Sequence, residues 1–489
     1  MKLQQLAREH NLLSTSSAIL GWDQETYMPE KAAAFRADQL ALLSARAHEL
    51  ATSPAWAAAL EEAEKITNST APTELAEITE ARRLFDLATK LPTELVAEEA
   101  HTSALAKHAW QRARQENDFF YFAPHLEALV AIAKRKAELL GYRDEPYDAL
   151  LSSCERGATT AAIGTLFDSL AQPIAQIAKI AVTHSTQNYV PLPAGPYPIA
   201  AQETLNAEIA ASIGFDFHAG RIDATAHPFC TTLGPSDVRL TTRYLEDDFT
   251  SSLFSVLHEA GHGLYELGLP SHSPGMPSSF AVSLGIHESQ SRLWENHIGR
   301  SLPFWEKWYP RTQELFPQLR HHSLADFLTH IRRAQYDFIR VESDEATYDL
   351  HILLRFHLER RIFRNELAIA DLPTAWNDTF EQFFGIRPPN DAQGCLQDIH
   401  WSLGSFGYFP TYTLGNLNAS QLMHAFTVLP EHERAVAQAD YTTLLPWLRN
   451  NIHQHGSLLT PATLIHQATG QAPSSNYHLD YLKKRYNPL

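Results

Sequence analysis

Apolar residues recur at helical intervals along nearly the whole chain, and strand-like alternation is confined to one short region. Residues 31–182 are built from Ala, Leu, Glu, Lys and Arg. Pro54, Pro72, Pro92, Pro124 and Pro146 cut this text into about five predicted helices. Ahead of it, an apolar patch at 12–20 runs into Trp22 and Asp23 and stops at the Met28-Pro29 step. Trp22 is expected to pack, with Asp23 capping beside it. Residues 185–198 are Pro-rich and polar and read as a loop. Between Ala224 and Glu246 Thr, Val, Tyr and Phe rise, and 237–244 partly alternates, which predicts a small sheet. Its edge could hold an extended peptide by the backbone.

The helical pattern returns at once. Asp247, Asp248 and Thr250 supply capping chemistry, and Leu253, Leu257, Ala260, Leu264 and Leu267 form a buried stripe that Gly268 and Pro270 end. A loop at 269–278 leads to a second predicted helix at 279–300. Helical text continues through 301–386, including one amphipathic span expected to run unbroken over 325–363. A loop at 385–394, an aromatic stretch punctuated by glycine at 402–412 and further helices over 416–489 complete the chain.

The chemistry sits on the capped helix. His258-Glu259-Ala260-Gly261-His262 is an H-E-x-x-H motif, so two imidazoles project from one helical face a turn apart and can share a zinc ion. Glu259 then leans toward the metal's open side, where it can take a proton from a water acidified to about pKa 7. A catalytic zinc keeps three protein ligands. The position that would carry a third downstream His in one zinc class holds Gly268, and the inverted H-x-x-E-H order is absent nearby. A carboxylate from the next helix remains: Glu288, with Glu295 a weaker competitor on the same face and Glu266 too close to His262. His287 either hydrogen-bonds substrate or is a surface histidine with a local partner.

The chain has 489 residues, 44% of them hydrophobic, enough for a large core. Its net charge of −17 disfavours nucleic acid and anionic membrane as partners. Three scattered cysteines suggest neither a disulfide framework nor a thiolate metal site. With no signal-peptide pattern at the start and no run near the ~18 apolar residues of a membrane span, a cytoplasmic location is expected.

Several separate motifs carry one resemblance. His227-Pro228-Phe229, then Asp237, Arg239 and Thr241 as D-x-R-x-T, H-E-x-x-H at 258–262 and H-E-S-Q at 287–290 occur in order. Ile339–Asp344 reads I-R-x-x-A-D with Ser343 in place of Ala, and Gly394–Trp401 reads G-x-x-Q-D-x-H-W. Trp22, Asp23, Thr26, Met28 and Pro29 near the start, and Tyr477 with 479–482 near the end, fit the same pattern. Together they resemble the carboxypeptidase Taq family of metallocarboxypeptidases over essentially the whole length. The resemblance implies a mostly α, zincin-like fold with a deep central cleft and a small β-sheet beside the active site. It implies a single domain over 1–489, with a helical part over 1–200 covering the cleft and a catalytic part over 201–489.

The implied activity is release of single residues from peptide C-termini with broad preference. The implied metal is one zinc per chain, or cobalt, on His258, His262 and Glu288, with Glu259 as base; a homodimer is also implied. His400 and Tyr412, with Tyr408 as alternate, are candidate oxyanion donors. Arg340 is the first candidate for the substrate's terminal carboxylate, with Arg239 or Arg243 possible; alternatively Arg340 bridges Asp344 one turn on. The competing functions are a zinc oligopeptidase or dipeptidyl carboxypeptidase, and a non-catalytic helical scaffold that binds peptides.

Overall fold

The computed structural model describes residues 2–66 and 71–486. Helices make up most of that length, with three short strands among the described residues. The chain divides into two compact units, each assembled from three separate segments. The first takes Met1–Thr89, Pro191–Ile331 and Asn418–Pro473; the second takes Lys90–Val190, Arg332–Leu417 and Ser474–Leu489. No helix among the described residues is long and apolar enough to cross a membrane.

In the first unit, a helix at Lys2–Thr26 is followed by one at Ala33–Ala51, and Met28-Pro29 lies between them. Trp22 is buried as expected. Asp23 does not cap as expected: it lies inside the last turn of the first helix, and its side chain pairs with Arg36 at 2.7 Å. The sheet comprises β1 (Gly220–Ala224), β2 (Cys230–Gly234) and β3 (Asp237–Thr242) in the order β1-β3-β2. β3 runs parallel to β1 and antiparallel to β2.

The histidine helix (Phe249–Gly268) starts where Asp248 accepts the Thr250 amide, satisfying one orphan donor of its first turn. Leu253, Leu257, Ala260 and Leu264 are fully buried, and each leucine so placed contributes about 1.5–3 kcal/mol. They belong to a core with Tyr197, Phe249, Trp294, Trp305, Phe316 and Phe327. Gly263 lets the sheet come close, since a Cβ there would lie 3.0 Å from Leu240 and 3.1 Å from Phe215. The next helix, here the glutamate helix, covers Leu284–Arg292, five residues later than its predicted start at 279, because Ser283 supplies the cap by accepting the Ile286 amide. It continues as a π-helical turn, Leu293–Ile298.

The second unit has its own core, in which Trp110, Phe122, Phe167, Phe356, Trp376, Phe380 and Trp401 are buried together. The unbroken helix expected over 325–363 does not form. A helix at Leu324–Ile331 ends, and Tyr348–Phe363 begins anew. Asp344 explains the break: its carboxylate accepts the Gln335, Ala346 and Thr347 amides and the Thr347 hydroxyl, offering the backbone an alternative to helix.

Candidate functional site

The histidine and glutamate helices touch at Gly261. A Cβ there would fall 2.5 Å from the Gln290 carbonyl oxygen and 2.6 Å from Ser291 Cα, so only glycine permits this approach. The approach brings ligand atoms of His258, His262 and Glu288 to within 4.8 Å of one another. Glu288 Oε2 is 3.5 Å from His262 Nε2 and 3.7 Å from His258 Nε2. Donors about 2.1 Å from a common tetrahedral centre stand ~3.4 Å apart, so two imidazoles and a carboxylate with this spacing fit a divalent cation.

The second nitrogen of each imidazole is taken. His258 Nδ1 lies 2.8 Å from Glu295 Oε2, and Arg292 Nη1 donates to the same oxygen at 3.1 Å. His262 Nδ1 lies 2.5 Å from His287 Nδ1, His287 Nε2 lies 2.8 Å from Glu266 Oε1, and Thr232 Oγ1 donates to Glu266 Oε2 at 2.8 Å. With Nδ1 of each ring so engaged, both Nε2 atoms are left for a cation. Arg292 Nε holds Glu288 Oε1 at 2.6 Å, leaving Oε2 toward the histidines.

The protein's own charges tune these groups. Burial works against a charged Glu288, yet Arg292 and His258 hold it well below the usual carboxylate range. Burial, then His287, pushes His262 down to about 4 and leaves it a neutral donor. For His258 burial is outweighed by Glu288 and Glu295, which raise it to about 9, so a cation must displace a proton there. Glu259 is 7% exposed, and no described side chain or amide donates a hydrogen bond to its carboxylate. Burial, with Glu288 and Glu295 adding to it against His258, raises it to about 7.

A second cluster lies within the second unit. Arg340 Nε and Nη2 donate to Asp398 Oδ1 at 3.0 and 2.8 Å, and Nη1 donates to the Tyr348 hydroxyl at 2.8 Å. The Arg340 guanidinium lies 4.9 Å from the centre of the Tyr412 ring. His400 Nε2 is 3.1 Å from the Tyr412 hydroxyl, and the Tyr408 ring stands 5.4 Å from both rings. Burial, then Arg340 and Arg355, depresses His400 to about 4 and keeps it neutral.

The sequence model of the family described as carboxypeptidase Taq (M32) metallopeptidase matches residues 2–486. This chain belongs to that family. It is 40% identical to thermostable carboxypeptidase 1 of Thermus thermophilus, over 100% of this chain and 98% of that protein. Among solved structures, metallocarboxypeptidase 1 of Trypanosoma cruzi is 33% identical with a TM-score of 0.95, covering 99% of each chain. The M32 carboxypeptidase of Deinococcus radiodurans R1 is 36% identical with a TM-score of 0.94, covering 99% of this chain and 98% of that one. The protein is therefore a peptide hydrolase, a metallocarboxypeptidase, and its family implies a bound metal ion.

Within this carboxypeptidase, His258, Glu259, His262, His287 and Glu288 fall in the first unit, and Arg340, His400, Tyr408 and Tyr412 in the second. Three sequence expectations change. Glu295, weighed as a competing ligand, instead supports His258. His287 has local partners, as one of its two readings held, but is only 21% exposed and bonds to a ligand candidate. The helical bridge from Arg340 to Asp344 does not exist, because the helix is broken there and Asp398 takes the guanidinium. Arg239 is already engaged by both oxygens of Asp237 at 2.9 Å and lies over the Trp22 ring at 4.3 Å. Sequence reasoning missed Arg292, Arg355, Gln397 and Asp398. Gln397 and Asp398 stand inside the G-x-x-Q-D-x-H-W motif, which was the available signal.

Proposed function

We propose that this chain holds one zinc ion on His258, His262 and Glu288 and removes single residues of broad identity from the free C-termini of peptides. The observation that carries the reading is the convergence of three donor atoms within 4.8 Å, with the outward imidazole nitrogens tied to Glu295 and His287. Two imidazoles and one carboxylate suit zinc, and cobalt accepts the same donors. When bound, the ion polarises the scissile carbonyl and acidifies a water molecule. Glu259 accepts the water's proton and returns it to the leaving amine, its carboxylate having no competing donor among the described residues. His400 and Tyr412, or Tyr408 in place of Tyr412, donate to the developing oxyanion.

Arg340 receives the terminal carboxylate. Three of its N–H groups have acceptors, so each terminal nitrogen keeps one N–H free for a bidentate contact. Arg239, held by Asp237, is the second candidate. The one family match spanning 2–486 supports a single catalytic domain over the whole chain. Three free cysteines support a reducing, cytoplasmic setting. A homodimer is the proposed assembly.

The test is digestion of a peptide mixture read by mass spectrometry, alongside metal analysis of the purified protein. A ladder of single-residue losses, stopped by a chelator and restored by zinc or cobalt, is expected. Internal fragments or released dipeptides would instead make the protein an oligopeptidase or dipeptidyl carboxypeptidase.

A further inference from the structure

Asp398 serves two guanidiniums at once. Its Oδ1 accepts Nε and Nη2 of Arg340 at 3.0 and 2.8 Å, and its Oδ2 accepts Nε and Nη2 of Arg355 at 2.7 and 2.5 Å. Gln397 Oε1 joins the pair, accepting the Arg340 amide at 2.8 Å and Arg355 Nη2 at 2.7 Å. The side chain of Arg355 is 0% exposed, that of Arg340 6% and that of Asp398 10%. Of the neighbouring titratable groups, His400, with Nδ1 3.9 Å from Asp398 Oδ1, and the fully buried His351 are both depressed by burial and neutral. Glu359, buried one turn beyond Arg355 and held by Tyr147, Trp401 and the Gly407 amide, adds a carboxylate on the Arg355 side. Tyr348 contributes its hydroxyl to Arg340 and Tyr412 the face of its ring. The two guanidiniums thus share one hydrogen-bonded carboxylate, and the other nearby carboxylate acts on Arg355, so Arg340 is left with surplus charge that is costly in a buried site unless a further anion arrives.

The two arginines are not equivalent. Arg355 also donates Nη1 to the His351 carbonyl at 2.7 Å, so four of its five N–H groups are engaged at a side chain with no exposure. Arg340 keeps one N–H on each terminal nitrogen without a described acceptor. The surplus charge therefore has an outlet only at Arg340.

We propose that Arg355 is a positioning residue for carboxylate recognition: by occupying Oδ2 of Asp398 it stops that carboxylate from neutralising Arg340, so Arg340 keeps a full charge for the substrate's terminal carboxylate. This rests on the assignment of Arg340 made above. It makes the arginine count, rather than Arg340 alone, the determinant of preference for a free C-terminus.

The experiment compares steady-state hydrolysis of an N-blocked dipeptide, and inhibition by one short peptide as its free acid and its C-terminal amide, for the holoenzyme and four variants. Arg355→Met is expected to raise KM by about tenfold or more, the loss of one charge-assisted contact, with kcat little changed and acid-over-amide discrimination reduced. Arg355→Lys, which restores the charge, recovers most of that loss. The double variant Arg355→Met with Asp398→Asn again leaves Arg340 as one uncompensated cation, so its KM returns toward wild type. Should Arg355→Met alone not fold, the double variant still decides: neutral replacements of a buried ion pair are commonly tolerated, and a KM as high as that expected for Arg355→Met would overturn the proposal. So would unchanged discrimination in a folded Arg355→Met. Arg340→Ala separates the two ideas: if it leaves discrimination intact the Arg340 assignment fails, and if it abolishes discrimination while Arg355→Met does not, only the present inference fails.

Discussion

A histidine that binds a metal must be told which nitrogen to offer, and in the proposed site His287 and Glu295 would do the telling. Each holds an Nδ1 at hydrogen-bond distance, and the His287 side is backed by Glu266 and Thr232. Outer partners of this kind change metal affinity by about 10–100-fold. His287→Ala should therefore weaken zinc binding within that range in competition with a coloured chelator, and excess zinc should restore much of the activity. Glu259→Gln should do the opposite, keeping its full metal content while kcat falls by about 10²–10⁴. Metal loss in Glu259→Gln would remove the role assigned to Glu259, and undiminished metal binding in His287→Ala would remove that assigned to His287. The four-residue spacing of His258 and His262 was legible because backbone geometry alone puts them on one face. The parts of His287 and Glu295 were not, since they depend on how the second helix packs and on the π-helical turn that carries Glu295, which no local spacing encodes.

At the scale of elements, one glycine sets the distance between the two helices that carry the proposed ligands. Gly261→Ala would push a methyl into the Gln290 carbonyl, at a cost of about 1–3 kcal/mol for overpacking, and would move Glu288 away from the histidines. Lower thermal stability together with weaker metal binding is expected, whereas Gly234→Ala, with nothing within 4 Å of the added carbon, should match wild type in both. Helix identity was readable from apolar spacing and caps, as the stripe over 253–264 and Asp248 demonstrate. The break before Tyr348 was not, because Asp344 reads as one more charge on a solvated face until its four hydrogen bonds to Gln335, Ala346 and Thr347 are seen. The C-terminal helix Asn476–Tyr486 is fixed by another buried carboxylate: Asp349 accepts His478 Nε2 at 2.9 Å, Thr413 Oγ1 at 2.7 Å and Asn416 Nδ2 at 2.9 Å. Burial opposes its ionisation, but these donors win and hold it below its ordinary 3.8. The folded state thus binds this proton less readily than the unfolded chain, so the stabilisation is complete above about pH 4 and fades as pH falls through the native value. Asp349→Asn should be less stable than wild type at pH 7 by about 1–3 kcal/mol, with the gap narrowing as pH falls below about 4 in denaturant titrations of metal-free protein. A gap that held constant would place its origin in packing.

Taken as a whole, the molecule carries a net charge of −17, while the substrate it is assigned bears a carboxylate at the end that must be bound. The two facts act at different ranges. Long-range potential governs how often a peptide arrives, whereas a local arginine governs how its terminus is held once there. Motifs spread from Trp22 to Leu482 made the family legible from the sequence because their order is one-dimensional information. The division into two units, each gathered from three segments, was not, since it depends on contacts between stretches far apart in the chain. The separation of ranges has a measurable consequence. Two peptides with identical C-terminal residues, one with a lysine-rich and one with a glutamate-rich remote segment, should differ in kcat/KM at about 10 mM ionic strength, the cationic one being faster, because the Debye length of about 30 Å lets the whole field act. At about 150 mM, where screening shortens that reach to about 8 Å, the ratio should move toward one, while discrimination between a free and an amidated C-terminus, which the proposal assigns to Arg340 at contact distance, should persist. A ratio unaffected by salt would place the charge preference in local contacts along the peptide rather than in the field of the protein.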